Sequence, residues 1–368
     1  MKNDINIREI KDYDESEINR VISLHNQINI DKRTKENWFW EYKGIYPEQY
    51  IFVLAENERD IIGTQGMIPI YINIGGKRTL SGKSENSLLL KKYMFMNLFS
   101  RLYDTAIMTS KRKEMCCIWG FTTASHVWKN KLDFSIYEDC LFESLIFLNL
   151  EEDMNDVMKL KVNYFKKIKR LLYVGSRYYY SKIKGKILFI MYGKKNNKYI
   201  ISEKLQSLND INDLFLSLRL KYPDIIYIHQ DEKYITWRIL NNPNITYKMI
   251  LVYEKDLLKG YCYYNAKNNK IVYITDILFV DFEIGVLLLK KLFKICDENE
   301  IAYVYYMGNI KNTLNKNIFD LLNRVGFNKY KNKMSFVLKN LTNTNESTLF
   351  NIENWYLSGL WTEGYREY

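Results

Sequence analysis

Proline and glycine are scarce in this 368-residue chain, at 4 and 16 copies, which leaves little material for long flexible linkers. Histidine is scarcer still. His25, His126 and His229 are the whole set, and none stands at ligand spacing from another. The five cysteines, Cys116, Cys117, Cys140, Cys262 and Cys296, are odd in number and include no C-x-x-C pair. Neither a disulfide framework nor a zinc site is expected from them. Long apolar runs are missing too. Stretches such as Ile187 to Tyr192 fall far short of the roughly 20 residues that span a bilayer. The opening MKNDINIREI lacks the apolar centre of a secretory signal. These absences point to a reduced, cytoplasmic protein that holds no metal.

What is present is an ordinary globular composition, 47% hydrophobic and 26% charged, in a chain long enough for two cores. Tyrosine is heavy, at 31 copies. The net charge is +11, and ten basic residues between Lys159 and Lys186, with no acidic residue among them, account for nearly all of it. Two readings stay open for that segment. It is a solvated stretch between domains, or it is a face for anionic membrane lipid or a phosphorylated substrate, which would place the protein at the membrane periphery. No interleaved aromatic and basic motif of an RNA-binding module occurs, so no specific nucleic acid is expected as a partner.

A faint internal repeat runs through the chain. Trp40-Glu41-Tyr42 and Pro47 precede an apolar run and Gly63, and Trp237-Arg238-Ile239 and Pro243 precede another and Gly260. Both the tryptophans and the glycines lie 197 positions apart, and Phe134 answers Phe327 at 193. Three matches in order at nearly constant offset predict a duplication. Periodicity predicts the same elements in each half. In the first, helices fall over 14–28 and 34–43, strands over 50–55, 61–74, 77–89 and 114–119, helices over 97–113 and 124–131, and a last strand region over 134–147. In the second, helices fall near 208–220, 233–240, 283–298 and 314–324, with strands over 247–279, 301–307 and 327–338. The expected layout is an N-terminal domain at 1–150, a basic connecting segment at 151–190, a C-terminal domain at 191–340 and a packed tail at 341–368. Each domain is α/β, a mixed twisted sheet flanked by helices.

With Gly82-Lys83-Ser84-Glu85-Asn86-Ser87, Trp119-Gly120-Phe121 and Lys131-Leu132-Asp133-Phe134 in this order, the chain resembles the GNAT-type N-acetyltransferases. It is most similar to tandem-domain acyltransferases of bacterial surface-polysaccharide synthesis. The resemblance covers nearly the whole chain, and its weight lies in the order of the motifs. It implies two tandem GNAT-like domains and acetyl-CoA or another acyl-CoA as co-substrate. The acceptor would be an amine, such as a nucleotide-linked or lipid-linked amino sugar. Ser87, Leu88 and Leu89 would hold the pantetheine arm. Lys91, Lys92 and the loop Tyr93, Met94, Phe95, Met96 and Asn97 would meet the pyrophosphate. Where the family's loop reads Tyr-Arg-Gly-Lys-Gly, this one has neither the arginine nor a glycine. In the second half Asp281-Phe282-Glu283-Ile284-Gly285 takes the loop's place, and its carboxylates oppose a pyrophosphate.

Acyl transfer needs a proton acceptor and donors for an oxyanion. Glu85 is the candidate base, unless it faces solvent or pairs with a lysine. Ser125 and His126 follow the Trp-Gly-Phe strand, where the resemblance puts groups near the CoA sulfur; a capping or packing role stays open for His126. Trp40, Trp119 and Trp128 either line an acceptor pocket or fill the core. Three functions follow: an N-acyltransferase, a GNAT-fold scaffold that has lost its cofactor loop, and an aminoacyl transferase of the Fem type.

Overall fold

The two halves of the sequence lay down closely similar elements in the same order, with one strand, Tyr227–Ile228, added in the second. The first gives β1 (Asn6–Glu9), α1 (Glu15–Ile28), α2 (Lys35–Lys43), β2 (Ile51–Glu56), β3 (Ile61–Ile74), β4 (Lys77–Leu89), α3 (Leu98–Arg112), β5 (Cys117–Thr122), α4 (Ser125–Leu132), β6 (Ser135–Tyr137) and β7 (Leu141–Phe147). Two helices follow, α5 (Leu150–Lys159) and α6 (Tyr164–Tyr192). The second half gives β8 (Tyr199–Ser202), α7 (Asp210–Arg219), β9 (Tyr227–Ile228), α8 (Glu232–Tyr234) running into a π-helical turn at Ile235–Leu240, β10 (Lys248–Glu254), β11 (Leu257–Lys267), β12 (Ile271–Phe279), α9 (Phe282–Glu298), β13 (Tyr303–Asn309), α10 (Thr313–Val325), β14 (Asn328–Lys331), β15 (Ser335–Asn340) and α11 (Glu346–Phe350). This computed structural model describes residues 5–10, 14–58, 60–94, 96–159, 163–192, 198–268, 270–342 and 346–362, with backbone alone at 151–153 and 156.

Local chemistry accounts for the element ends. Thr34 and Asn37 close a capping box on α2, satisfying two main-chain donors at once. Gly75 and Gly76, at φ 54° and 83°, make the tight turn from β3 to β4, where both central residues need positive φ. The basic segment is helix for most of its length, as α5 and α6, where the sequence suggested a connector.

The chain divides into two compact units, and each draws on both halves. The first comprises Met1–Glu138, Asp224–Asn244 and Met334–Asn351. Its sheet runs β1-β2-β3-β4-β5-β15-β6, with β9 on β3. The second comprises Asp139–Pro223, Ile245–Lys333 and Ile352–Tyr368, and its sheet runs β14-β7-β13-β12-β11-β10-β8. The two orders correspond strand for strand, as the repeat requires. Yet the last strand of each half has crossed over: β15 lies between β5 and β6, and β7 between β13 and β14. Compact units therefore depart from contiguous stretches of sequence at 139–150, 224–244 and 334–340.

In the first unit, Ile51, Val53, Ile62, Leu98, Leu102, Tyr103, Trp128 and Phe134 form one apolar core, and Val337 of β15 belongs to it. Burying such side chains contributes about 1.5–3 kcal/mol each, so the crossed-over strand is held by the core it completes. The repeated tryptophans meet here as well. Trp40 Nε1 donates to Trp237 O at 3.0 Å, Trp237 Nε1 donates to Trp40 O at 2.7 Å, and their rings stack 5.2 Å apart.

Candidate active site

Strand β4 pairs with β3 along its length, but with its parallel neighbour β5 only at Gly82↔Ile118 and Lys83↔Trp119. Beyond these two pairs the strands part. The wedge is a cavity of about 460 Å³, well inside the range of small-molecule sites. Ser84, Glu85, Asn86, Ser87 and Leu89 of β4 form one wall, and Phe121 and Thr122 of β5 another. Met94, Phe99, Val127, Trp128 and Lys131 close it.

A β-bulge sits in the β4 wall. Thr64 pairs with Leu88 and Gly66 with Glu85, so Asn86 and Ser87 together oppose Gln65. Asn86 takes a left-handed φ of 51°. A bulge unpairs backbone groups from the ladder and re-aims the strand. Side chains fix it from behind. Gln65 Nε2 donates to Gly66 O at 2.8 Å and to Ser84 Oγ at 3.0 Å, and Gln65 Oε1 accepts from Ser87 Oγ at 2.6 Å. The Tyr103 hydroxyl bonds both serine hydroxyls at 2.8 Å. Asn86 Nδ2 donates to the Tyr42 hydroxyl, and Thr64 Oγ1 donates to Asn86 O at 2.8 Å. Burial pushes the Tyr42 and Tyr103 phenols well above their ordinary range, so both stay neutral hydrogen-bonding groups.

The residues singled out from sequence fall in several places. Glu85 lines the cavity and pairs with the Lys83 ammonium, which is only 5% exposed. Ser87, Leu89 and Met94 line it too. Leu88 faces the other side of the sheet, beside Val21, Trp38 and Phe52. Lys91 and Lys92 are exposed on a 3-10 turn, Lys91–Tyr93, and Lys92 Nζ lies 4.9 Å from the centroid of the Tyr93 ring. Tyr93 is buried, and its hydroxyl accepts from Asn57 Nδ2 at 3.1 Å. Met96 is exposed, and Phe95 lies outside the described residues. Ser125 Oγ donates to Glu138 Oε1 at 2.8 Å and His126 is exposed on α4; neither lines the cavity. Trp128 lines it, whereas Trp119 is buried and donates to Ser81 Oγ at 2.9 Å.

Asn97 stands where the resemblance expects the loop's last glycine, and it takes the left-handed conformation, φ 54° and ψ 19°, that glycine adopts most easily. It opens α3 with no side-chain cap, so the first-turn N–H groups carry the positive end of a 15-residue helix. Gln65 and Tyr103 did not stand out in the sequence, and Tyr42 and Lys131 entered only as members of the repeat and of the Lys-Leu-Asp-Phe motif. The polar run Thr64-Gln65-Gly66 inside an otherwise apolar β3 was the available signal, because a buried amide needs partners.

The second unit repeats the geometry and fills it. β12 pairs in parallel with β13 from Ile271↔Tyr303 to Ile274↔Tyr306, and a bulge follows at Thr275. The chain's own C-terminal stretch then packs there. Ser358 bridges to Gly308 of β13. The Tyr356 hydroxyl lies 2.7 Å from both Asp276 Oδ1 and Ile277 O. Asn309 Nδ2 donates to Ile352 O and Trp355 O, each at 2.8 Å. Trp355, Leu357 and Trp361 are buried. At the start of α9, Asp281 Oδ1 accepts from Ile284 N at 3.0 Å, so the turn that would face a pyrophosphate carries its own carboxylate.

Among solved structures, the chain is similar to a GCN5-related N-acetyltransferase from Kribbella flavida, with TM-score 0.58 and 8% identity over 91% of this chain and 71% of that one. It is similar to N-myristoyltransferase of Saccharomyces cerevisiae, solved with myristoyl-CoA and inhibitors, with TM-score 0.57 and 10% identity over 92% and 80%. A tandem GNAT protein from the clavulanic acid biosynthesis pathway matches with TM-score 0.55 and 8% identity, over 93% of this chain and all of that one. The chain carries the GNAT fold, in tandem. No protein-family model and no curated protein sequence matches it. In this GNAT fold the parted strands, the bulge and the helix start belong to one open cavity in the first unit and to a filled one in the second. No group of residues that could hold a metal ion occurs among the described residues.

Proposed function

We propose that this chain is an acyl-CoA-dependent N-acyltransferase that works from the cavity between β4 and β5. The observation that carries this reading is the coincidence, at one place, of parted parallel strands, a braced bulge and an uncapped helix start. The residues present fit the arm of such a ligand. Leu89, Phe99, Phe121, Val127 and Trp128 offer apolar walls for pantetheine, and Lys131 and the α3 N-terminus offer positive charge for phosphate. Bound there, an acyl-CoA supplies an activated thioester carbonyl. A backbone N–H released by the bulge is the donor we assign to the carbonyl oxygen as charge builds on it. Glu85 is the group we assign to take the proton from the acceptor ammonium, with Lys83 holding its carboxylate in place.

The acceptor we propose is the amino group of a sugar, nucleotide-linked or lipid-linked, in surface-glycan synthesis. That assignment rests on the motif resemblance. The test is thiol release from acetyl-CoA in the presence of a panel of amino sugars and their nucleotide-linked forms, with product mass. Acylated product from one of them is expected. Tight acyl-CoA binding with no transfer to any amine overturns the enzyme reading. A loop without arginine or glycine favours one second reading, a GNAT-fold scaffold. That reading requires that acyl-CoA not bind at all.

A further inference from the structure

Helix α6 is 29 residues long and carries no acidic residue. One stripe of it, Val174, Ser181, Gly185 and Leu188, is buried. Ser181 Oγ donates to Gly326 O at 2.8 Å, a Cβ on Gly185 would meet Val325 O at 3.5 Å, and the Phe189 and Phe293 rings lie 5.6 Å apart. This stripe pins α6 against α9 and α10, so its other side is not a core face awaiting its own unit.

That other side is apolar too. Leu172, Tyr179 and Ile183 each stand two residues before a buried position, about 200° around a helix of 3.6 residues per turn. Phe165, Ile187 and Ile190 extend the row. Phe165 is 80% exposed, Leu172 69%, Ile183 60% and Ile190 63%. Lys166, Lys169 and Lys184 flank the row on one side and Lys182 and Lys186 on the other, by the same helical geometry. Near its C-terminal end, a cavity of about 420 Å³ opens between α6 and α9. Lys182, Lys186, Lys290 and Lys294 line it with Phe189 and Phe293, against a single carboxylate, Asp297.

We propose that this face of α6 docks the protein on an anionic bilayer, with the helix lying flat in the headgroup layer. An exposed apolar row of this length calls for a cover. Between two rows of cations, that cover must offer hydrocarbon in the middle and negative charge on both sides. A bilayer of phosphate lipids supplies both everywhere, while the lysine and arginine stems reach outward to the phosphates. No helix among the described residues is long and apolar enough to cross a membrane. The proposal stands whether or not the first unit transfers acyl groups.

The test is flotation of the full chain with vesicles of phosphatidylcholine alone or mixed with phosphatidylglycerol. Binding to the mixed vesicles only is expected, falling as salt rises. Reversing Lys166, Lys169, Lys182 and Lys186 to glutamate should weaken it at least about a hundredfold, since each basic residue near such a surface contributes about 1 kcal/mol. Leu172→Ser with Ile183→Ser should weaken it about tenfold or more. A second readout avoids any folding artefact. The cysteines are buried, so Ile183→Cys accepts an environment-sensitive dye selectively. Its emission should shift to the blue on mixed vesicles. No binding to mixed vesicles at low salt, an unshifted dye, or concentration-dependent self-association abolished by the same serine variants without vesicle binding would each overturn the proposal.

Discussion

Glu85 is held by a lysine that the fold has taken almost out of water, and this shapes what its substitution does. Deleting the carboxylate leaves Lys83 buried without its partner, a change that costs about 3–5 kcal/mol in comparable pairs. Glu85→Ala therefore confuses stability with chemistry. Glu85→Gln combined with Lys83→Met removes both charges and keeps similar volumes. With a general base lost, turnover should fall about 10²- to 10⁴-fold while acyl-CoA affinity changes little. Steady-state kinetics beside calorimetry separates the two, and unchanged turnover in the double variant removes Glu85 from the mechanism. A second residue sets a pH dependence. His229 is half-buried next to β9, its Nδ1 has no partner, and burial pulls its pKa below the ordinary 6.5 despite Asp231 nearby. The unfolded chain then binds the proton first, so His229 contributes stability above about pH 6.5 that is lost as pH falls through the lower folded value. Urea midpoints measured on either side of that range should drop on acidification, and His229→Gln should flatten the difference.

At the scale of elements, most of the first unit was legible. The strands over 61–74 and 77–89 match β3 and β4 residue for residue, because Gly75-Gly76 marks the turn between them and β3 is rich in isoleucine. Helix α6 was not legible. Its buried stripe contains Ser181 and Gly185, while its exposed stripe is Leu, Ile and Tyr, so hydrophobic pattern reports the wrong face and the lysines dominate. The bulge was not legible either, since it depends on Gln65 meeting Ser84 and Ser87 across the sheet. The loop before α3 sits between these cases. Its missing glycines were plain, but Asn97 keeps the left-handed turn without one. What remains absent is the arginine, whose charge-assisted bond to a phosphate is worth about 1.5–3 kcal/mol. Met94→Arg with Phe95→Gly should therefore tighten acyl-CoA binding about tenfold to a hundredfold by calorimetry. No gain would mean that the phosphates lie elsewhere than this helix start.

For the whole chain, duplication produced two frames and left one of them open. The exchange of β7 and β15 could not be read from sequence, because two copies of one strand carry the same pattern and local chemistry does not say which sheet takes which. The fate of the second frame was partly readable: Asp281 announced a poor phosphate site, and in the fold its carboxylate is spent on capping α9. The tail completes the closure. Trp355, Tyr356, Leu357 and Trp361 are buried there, Asn315 Nδ2 donates to Leu357 O at 2.9 Å, and Leu357 N donates to Asn315 Oδ1 at 3.2 Å. Displacing that segment to admit a ligand would expose two tryptophans, at about 3–5 kcal/mol each by analogy with truncation in a core, and would strand buried amides as well. A cofactor of ordinary affinity cannot offset that. The expected stoichiometry is therefore one acyl-CoA per chain, read as the equivalence point of a calorimetric titration. Trp355→Ala should lower the thermal midpoint without creating a second site, because the collapsed frame still lacks an open helix start. A stoichiometry of two in the unmodified protein would show that the tail yields to ligand, and that the second unit is a working site in its own right.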